Sequence, residues 1–166
     1  PVILMRSPYG YSNTPNLQKA IFFAQHGYIF IFQSVRGRLD SEGLWEPFIH
    51  EGWDGYDTIE WIIHQPWSNG KVGLFGGSYL AWCSWANVRT NHPNLVTISS
   101  ACAVGNFFKE TPYVNGIPLL GHLQWLFLTH AHTMHWEIQP HIPWAEILAK
   151  VPLAQMDDFI GFTSDE

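Results

Sequence analysis

Apolar residues along the chain fall into short β-rich runs that alternate with stretches of helical period. Residues 2–5 form the first run; in residues 16–26, Leu17, Ala20, Ile21 and Ala24 recur at helical spacing, and Gly27 follows as a C-cap. A second strand is expected at 28–32. A polar, glycine-punctuated loop, VRGRLDSEG, leads to a helix over 55–64, with Asp54 as N-cap, Tyr56, Ile59 and Ile63 inward and Pro66 closing it. A strand at 72–75 runs into a helix carrying Tyr79, Trp82, Cys83 and Ala86 at i, i+3, i+4 and i+7, and a further strand spans 95–104. Such alternation predicts an α/β fold with a mostly parallel sheet covered on both faces. Ligands then bind beyond the carboxyl ends of the strands.

From about Asn106 the pattern changes. Aromatic residues and histidines crowd between prolines, no further strand is expected, and helices are predicted at 119–136 and 144–149. This segment reads either as the start of a helical cap over an active site or as a helical hairpin packed on the sheet.

Composition narrows the function classes. The 166 residues are 46% hydrophobic and 13% charged, enough to bury a core. Eight Lys and Arg against fourteen Asp and Glu give a net charge of −6, which argues against a nucleic-acid partner. No apolar run reaches membrane-spanning length, so no membrane partner is expected. No charged-then-apolar leader opens the chain, and residues 1–5 already read as a core strand. The N-terminus therefore reads as missing, the cytoplasm is the expected setting, and a signal peptide upstream stays open. Cys83 and Cys102 lack metal-ligand spacing and are expected to be buried free thiols. Trp53, Trp61 and Trp67 are expected in the core.

The candidate chemistry centres on KVGLFGGSYL. A strand that reverses into a helix within two residues needs positions without side chains, and Gly76 and Gly77 supply them. Ser78 then stands at the apex as a candidate nucleophile, with the Tyr79 N–H directed where a carbonyl oxygen would become an oxyanion. Two features keep a second reading open. Leu80 occupies the place where the pattern G-x-S-x-G has a small residue, and a serine before a helix can simply cap it.

The wider context carries a resemblance. PVILMRSPYGYS, then GYIFIFQSVRGRLDSEG, then WEPFIHEGWDGYDTIEWIIHQPWSNGKVGLFGGSYLAW resemble, in that order, the CocE/NonD hydrolases, a group that includes cocaine esterase, α-amino acid ester hydrolases, glutaryl-7-aminocephalosporanic acid acylase and Xaa-Pro dipeptidyl-peptidases. The resemblance covers residues 1 to about 105. It implies an α/β-hydrolase fold, of which the chain holds the N-terminal half of the sheet and the start of a cap, with domains at 1–105 and 106–166. In that family the serine is followed by tyrosine, an often apolar residue and a small one, as in Ser78, Tyr79, Leu80 and Ala81.

The resemblance also implies roles. Ser78 would form an acyl-enzyme with an ester, an amide or a short peptide, and the Tyr79 N–H and the Tyr9 hydroxyl, the latter in an Arg6-Ser7-Pro8-Tyr9 context, would bind the oxyanion. From the residues alone, Tyr9 reads as a loop aromatic. Arg36, Arg38, Asp40 and Glu42 would fold their loop back on acids such as Glu51, Asp54 or Asp57. Relatives have an acid where Gln33 and Ser34 stand, so its ion pair would be missing.

No cofactor is implied, and a zinc site at His130, His132 and His135 lacks a ligand motif. The triad base and acid are expected beyond this sequence. His26 and His64 end helices, His92 precedes Pro93, and His122, His130, His132, His135 and His141 lie in the cap-like segment, as do Asp157 and Asp158. The chain thus reads as a fragment, inactive alone, that lacks the later core strands and a jelly-roll domain. A lipase- or peptidase-like hydrolase and a non-catalytic binding module are the other readings.

Overall fold

The computed structural model describes residues 1–10, 14–134 and 141–149. They form two compact units, one from Pro1 to Phe107 and a second from Phe108 onward.

In the first unit, β1 (Val2–Ser7), α1 (Thr14–Gln25), β2 (Ile29–Ser34), α2 (Glu51–Ile63), β3 (Val72–Gly77), α3 (Tyr79–Val88) and β4 (Leu95–Ala101) alternate as the apolar pattern predicts. The strands make one wholly parallel sheet in the order β2-β1-β3-β4. The chain starts at β1, steps outward to β2, then crosses back over β1 to place β3 on its other side. That reversal makes the crevice above the carboxyl ends of β1 and β3 the place where an open α/β sheet binds ligands.

Alternation along the strands separates the two faces. Val2, Leu4, Val72 and Leu74 close a core with Ile59 and Ile62 of α2, flanked by Ile29, Ile31 and Ile98. On the opposite face α1 packs through Phe23, whose ring meets Phe30 at 5.5 Å and Phe75 at 5.7 Å.

Several expectations are corrected. On α1, Leu17 and Ile21 are 61% and 48% exposed, because the single large ring of Phe23 turns the buried stripe away from them. Helix α2 begins a turn earlier than expected. The Asp54 N–H already donates to the His50 carbonyl, so Asp54 is a first-turn acid and not the N-cap. Ile62 is fully buried and Ile63 only partly. Trp53, Trp61 and Trp67 are 69%, 56% and 42% exposed, lying on the outer side of α2 and in the turn after it. Strand β4 stops at Ala101; Cys102, with φ 55°, lies past its end and is exposed, whereas Cys83 is buried as expected.

The second unit holds a small antiparallel hairpin, β5 (Tyr113–Val114) and β6 (Ile117–Pro118), where no strand was expected. The turn is made by Asn115 and Gly116, both at positive φ, the asparagine-glycine signature of a two-residue hairpin. Helix α4 (Gly121–Thr129) is shorter than the predicted 119–136, and α5 (Trp144–Leu148) follows. The Phe127 and Trp144 rings meet edge to face at 5.6 Å.

Helices α2 and α3 pack closely because Gly55 leaves room for Asn87. A Cβ at Gly55 would fall on the Asn87 side-chain amide, which is fully buried and donates to the carbonyls of Glu51 at 3.1 Å and Cys83 at 2.8 Å. Gly55→Ala should therefore destabilise the fold by about 1–3 kcal/mol through overpacking, read by urea unfolding. Combined with Asn87→Ala it should cost less than the sum of the two single changes, and strict additivity would contradict the contact.

Candidate active site

The turn between β3 and α3 is built from one steric requirement and one strained residue. A Cβ at Gly76 would fall on the Leu80 Cβ and within 2.7 Å of its backbone carbon, in the first turn of a buried helix that cannot shift. Gly77 is different, with nothing nearer than 3.8 Å, so only the first glycine is required by packing. Ser78 then adopts φ 57° and ψ −124°, a left-handed conformation that an L residue enters at a cost of about 1–2 kcal/mol.

The backbone around the serine is anchored on both sides. The Ser78 N–H donates to Ala101 of β4 at 2.9 Å, and its carbonyl accepts from Trp82 at 3.1 Å. Its side chain is exposed, makes no capping bond, and has no hydrogen-bond partner among the described residues. The helix-capping alternative is therefore excluded. What remains is a hydroxyl lifted above the carboxyl edge of a parallel sheet at a strained strand-to-helix turn.

Tyr79 opens α3, which puts its N–H at the positive end of the helix dipole. Its side chain turns inward, where the hydroxyl donates to Glu51 Oε1 and accepts from the Phe48 N–H at 2.9 Å. Burial and the Glu51 charge both raise the phenol pKa well above its ordinary value, so it is neutral at any working pH.

Tyr9 follows β1, the strand beside β3. Its ring lies edge-on to that of Tyr79, 6.4 Å between centroids, which brings the two tyrosines expected at the oxyanion into contact. Two bonds shape its loop. The Tyr9 N–H donates to Ser7 Oγ at 3.1 Å, and Arg38 Nε donates to the Pro8 carbonyl at 3.0 Å. Arg38 is fully buried and stacks on Trp45 at 5.5 Å; burial pulls its pKa down to about 10, so it stays charged at neutral pH.

The scaffold expected of the arginine loop is thus present with altered partners. Arg36 makes a bidentate pair with Asp54, whereas Arg38 holds the Tyr9 loop. Where relatives carry an acid, Gln33 Oε1 accepts from the Arg6 guanidinium at 2.8 Å, a charge-assisted bond to a neutral partner, and Arg6 also lies 4.0 Å from Asp54.

Most of the described histidines have partners of their own. His26 and His64 bond back to the carbonyls of Phe22 and Glu60, and buried His92 accepts the Asn94 N–H. His122 bonds to Thr111 Oγ1 at 2.7 Å, and His130 to the Phe127 carbonyl. His132 lies beyond the end of α4, so the helix expected to carry it is not there; His141 is exposed. His135, Asp157 and Asp158 lie outside the described residues. His50, which the motif reading passed over, pairs with Glu46 at 2.6 Å. No three metal-ligating side chains converge among the described residues.

Residues 1–159 match the family model described as X-Pro dipeptidyl-peptidase (S15 family). The chain belongs to the S15 family. Cocaine esterase of Rhodococcus sp. (strain MB1 Bresler) is 31% identical over 120 residues, which cover 70% of this chain and 21% of that protein. A CocE/NonD family hydrolase of Staphylococcus aureus has the same fold, with TM-score 0.65 at 23% identity over 95% of this chain and 34% of its own. An aminopeptidase from the marine sediment archaeon Thaumarchaeota archaeon gives TM-score 0.66 at 24% identity, over 80% and 26% respectively. The S15 chain thus has an α/β-hydrolase fold and spans well under half the length of these relatives. Among its described residues, no helix is long and apolar enough to cross a membrane.

Strain at the S15 turn has a direct consequence. Ser78→Gly should be more stable than Ser78→Ala by about 1 kcal/mol, because glycine enters the left-handed region freely. Equal unfolding midpoints would show that the turn carries no strain.

Proposed function

We propose that this chain carries the nucleophile and both oxyanion donors of a serine hydrolase that cleaves ester or amide bonds through an acyl-enzyme on Ser78. The observation that carries the reading is the uncapped, exposed Ser78 in a left-handed turn at the β1/β3 crevice. Membership of the S15 family supports it.

In this scheme Ser78 Oγ attacks the substrate carbonyl carbon, and its proton passes to a base. The carbonyl π electrons move onto oxygen, where the Tyr79 N–H and the Tyr9 hydroxyl stabilise them. Collapse of that intermediate expels the alcohol or amine, which takes the proton from the base. Water then repeats the sequence on the acyl-enzyme.

The base is assigned to a histidine, oriented by an aspartate, both following the cap in chain order as the resemblance implies; among the described residues Ser78 Oγ has no partner. Residues 106–166 are assigned as the beginning of a cap that selects the acyl group. The substrate class is a small ester, amide or short peptide.

In the complete polypeptide, a fluorophosphonate should label Ser78, and the label should vanish in Ser78→Ala. A folded complete protein that stays unlabelled rules the proposal out. The isolated 166 residues should hydrolyse nitrophenyl esters only at trace rates, and robust Ser78-dependent turnover there would mean the base lies within them.

Tyr9→Phe should lower kcat by about 100-fold with little change in KM, since removing one oxyanion donor costs roughly 3 kcal/mol in the transition state. An unchanged kcat would remove Tyr9 from the site.

A further inference from the structure

Beneath the serine turn lies a buried polar cluster that the acyl-transfer scheme leaves unused. Glu51 is 3% exposed and Tyr79 4%. The Glu51 carboxylate accepts the Tyr79 hydroxyl through Oε1, and among the described residues Oε2 has no partner. The Glu51 backbone carbonyl accepts from Arg6 Nη1 on β1 and from Asn87 Nδ2 on α3. Burial raises the carboxyl pKa, opposed by the Tyr79 hydrogen bond and the Arg6 charge.

A carboxyl buried with only one of its oxygens satisfied is a poor way to stabilise a core, because an apolar pair of the same volume does as well or better. Its geometry serves another purpose. A tyrosine side chain turns about only two torsions, so holding its hydroxyl and the faces of its ring together restricts where its Cα and backbone N–H can sit. Here the hydroxyl is held by an acceptor and a donor, and the ring is flanked by Phe48 at 4.8 Å and Trp45 at 5.6 Å.

Arg6 Nη1 holds the Glu51 backbone carbonyl, a bond that any residue at position 51 would make, so the side chain acts on the site through Tyr79 alone, whose ring meets that of Tyr9.

We infer that Glu51, acting through the Tyr79 hydroxyl, is a positioning residue that sets the Tyr79 N–H and, through the contact of the two tyrosine rings, the Tyr9 hydroxyl at the spacing an oxyanion requires. This rests on the reading of Ser78, Tyr79 and Tyr9 given above. The acceptor oxygen, not the charge, is the operative feature.

The test uses the complete polypeptide with a nitrophenyl ester and a fluorophosphonate. Tyr79→Phe, which removes one oxygen and keeps the ring, and Glu51→Ala should each lower kcat roughly 10- to 100-fold with KM nearly unchanged, as expected for misplaced donors. Fluorophosphonate labelling should slow in parallel. Glu51→Gln, which keeps an acceptor for the phenol, should recover most of the loss.

An unchanged kcat in Tyr79→Phe, or Glu51→Gln as impaired as Glu51→Ala, overturns the inference. So does a Tyr79→Phe protein that fails to fold, since the bond would then be purely structural. If the wild-type protein neither labels nor turns over, the nucleophile reading falls first; a labelled, active wild type with unaffected variants removes the positioning role alone.

Discussion

Ser78 can stay in a left-handed conformation only while the elements on both sides of it are held more firmly than the strain pulls. Strand β3 lies between β1 and β4, and its residues Val72 and Leu74 are buried in the core. Helix α3 buries seven of its ten residues. Gly76 lets these two elements close to van der Waals contact at Leu80, and the Ala101 carbonyl takes the one N–H that the turn would otherwise strand. The strain is small beside the apolar burial that opposes it. The hydroxyl is presented because the core overdetermines the backbone.

A second layer of order is polar. Arg6, Glu51, Tyr79 and Asn87 link β1, α2 and α3 under the site, and Arg38 ties the 35–43 loop to Pro8. Desolvation works against the charges of Glu51 and Arg38, raising the pKa of the first and lowering that of the second. Such groups are tolerated where they fix geometry that apolar packing leaves free to slide.

The parts of the fold legible in the chain were those set by local chemistry. Alternating β-rich and helical runs fixed the parallel sheet, and Gly-Gly-Ser-Tyr marked the turn. Harder to see were choices made by tertiary competition. Phe23 outweighs Leu17 and Ile21 because one aromatic ring meets two others across the sheet. Asp54 lies inside a helix that starts at Glu51 and pairs with Arg36, a partner eighteen residues away in sequence. The exposed tryptophans defeat an expectation based on residue type alone. Around Ser78, the outward serine and the nearby Tyr9 were anticipated from motif and resemblance. The inward Tyr79 side chain, its tie to Glu51 and the clasp of Arg38 on Pro8 were not, because nothing in their spacing marks a buried hydrogen bond across 28 or 30 residues.

The contact between Gly76 and Leu80 bears on how such turns are recognised at all. What crowds the empty position at Gly76 is the Cβ and main chain of residue 80, atoms that almost any side chain supplies. The demand for glycine is therefore one-sided: it falls on the residue two places before the serine, while the residue two places after it is free to vary. A signature that insists on glycine at both places passes over chains like this one. A signature written for the single glycine two places before and the left-handed serine would find them.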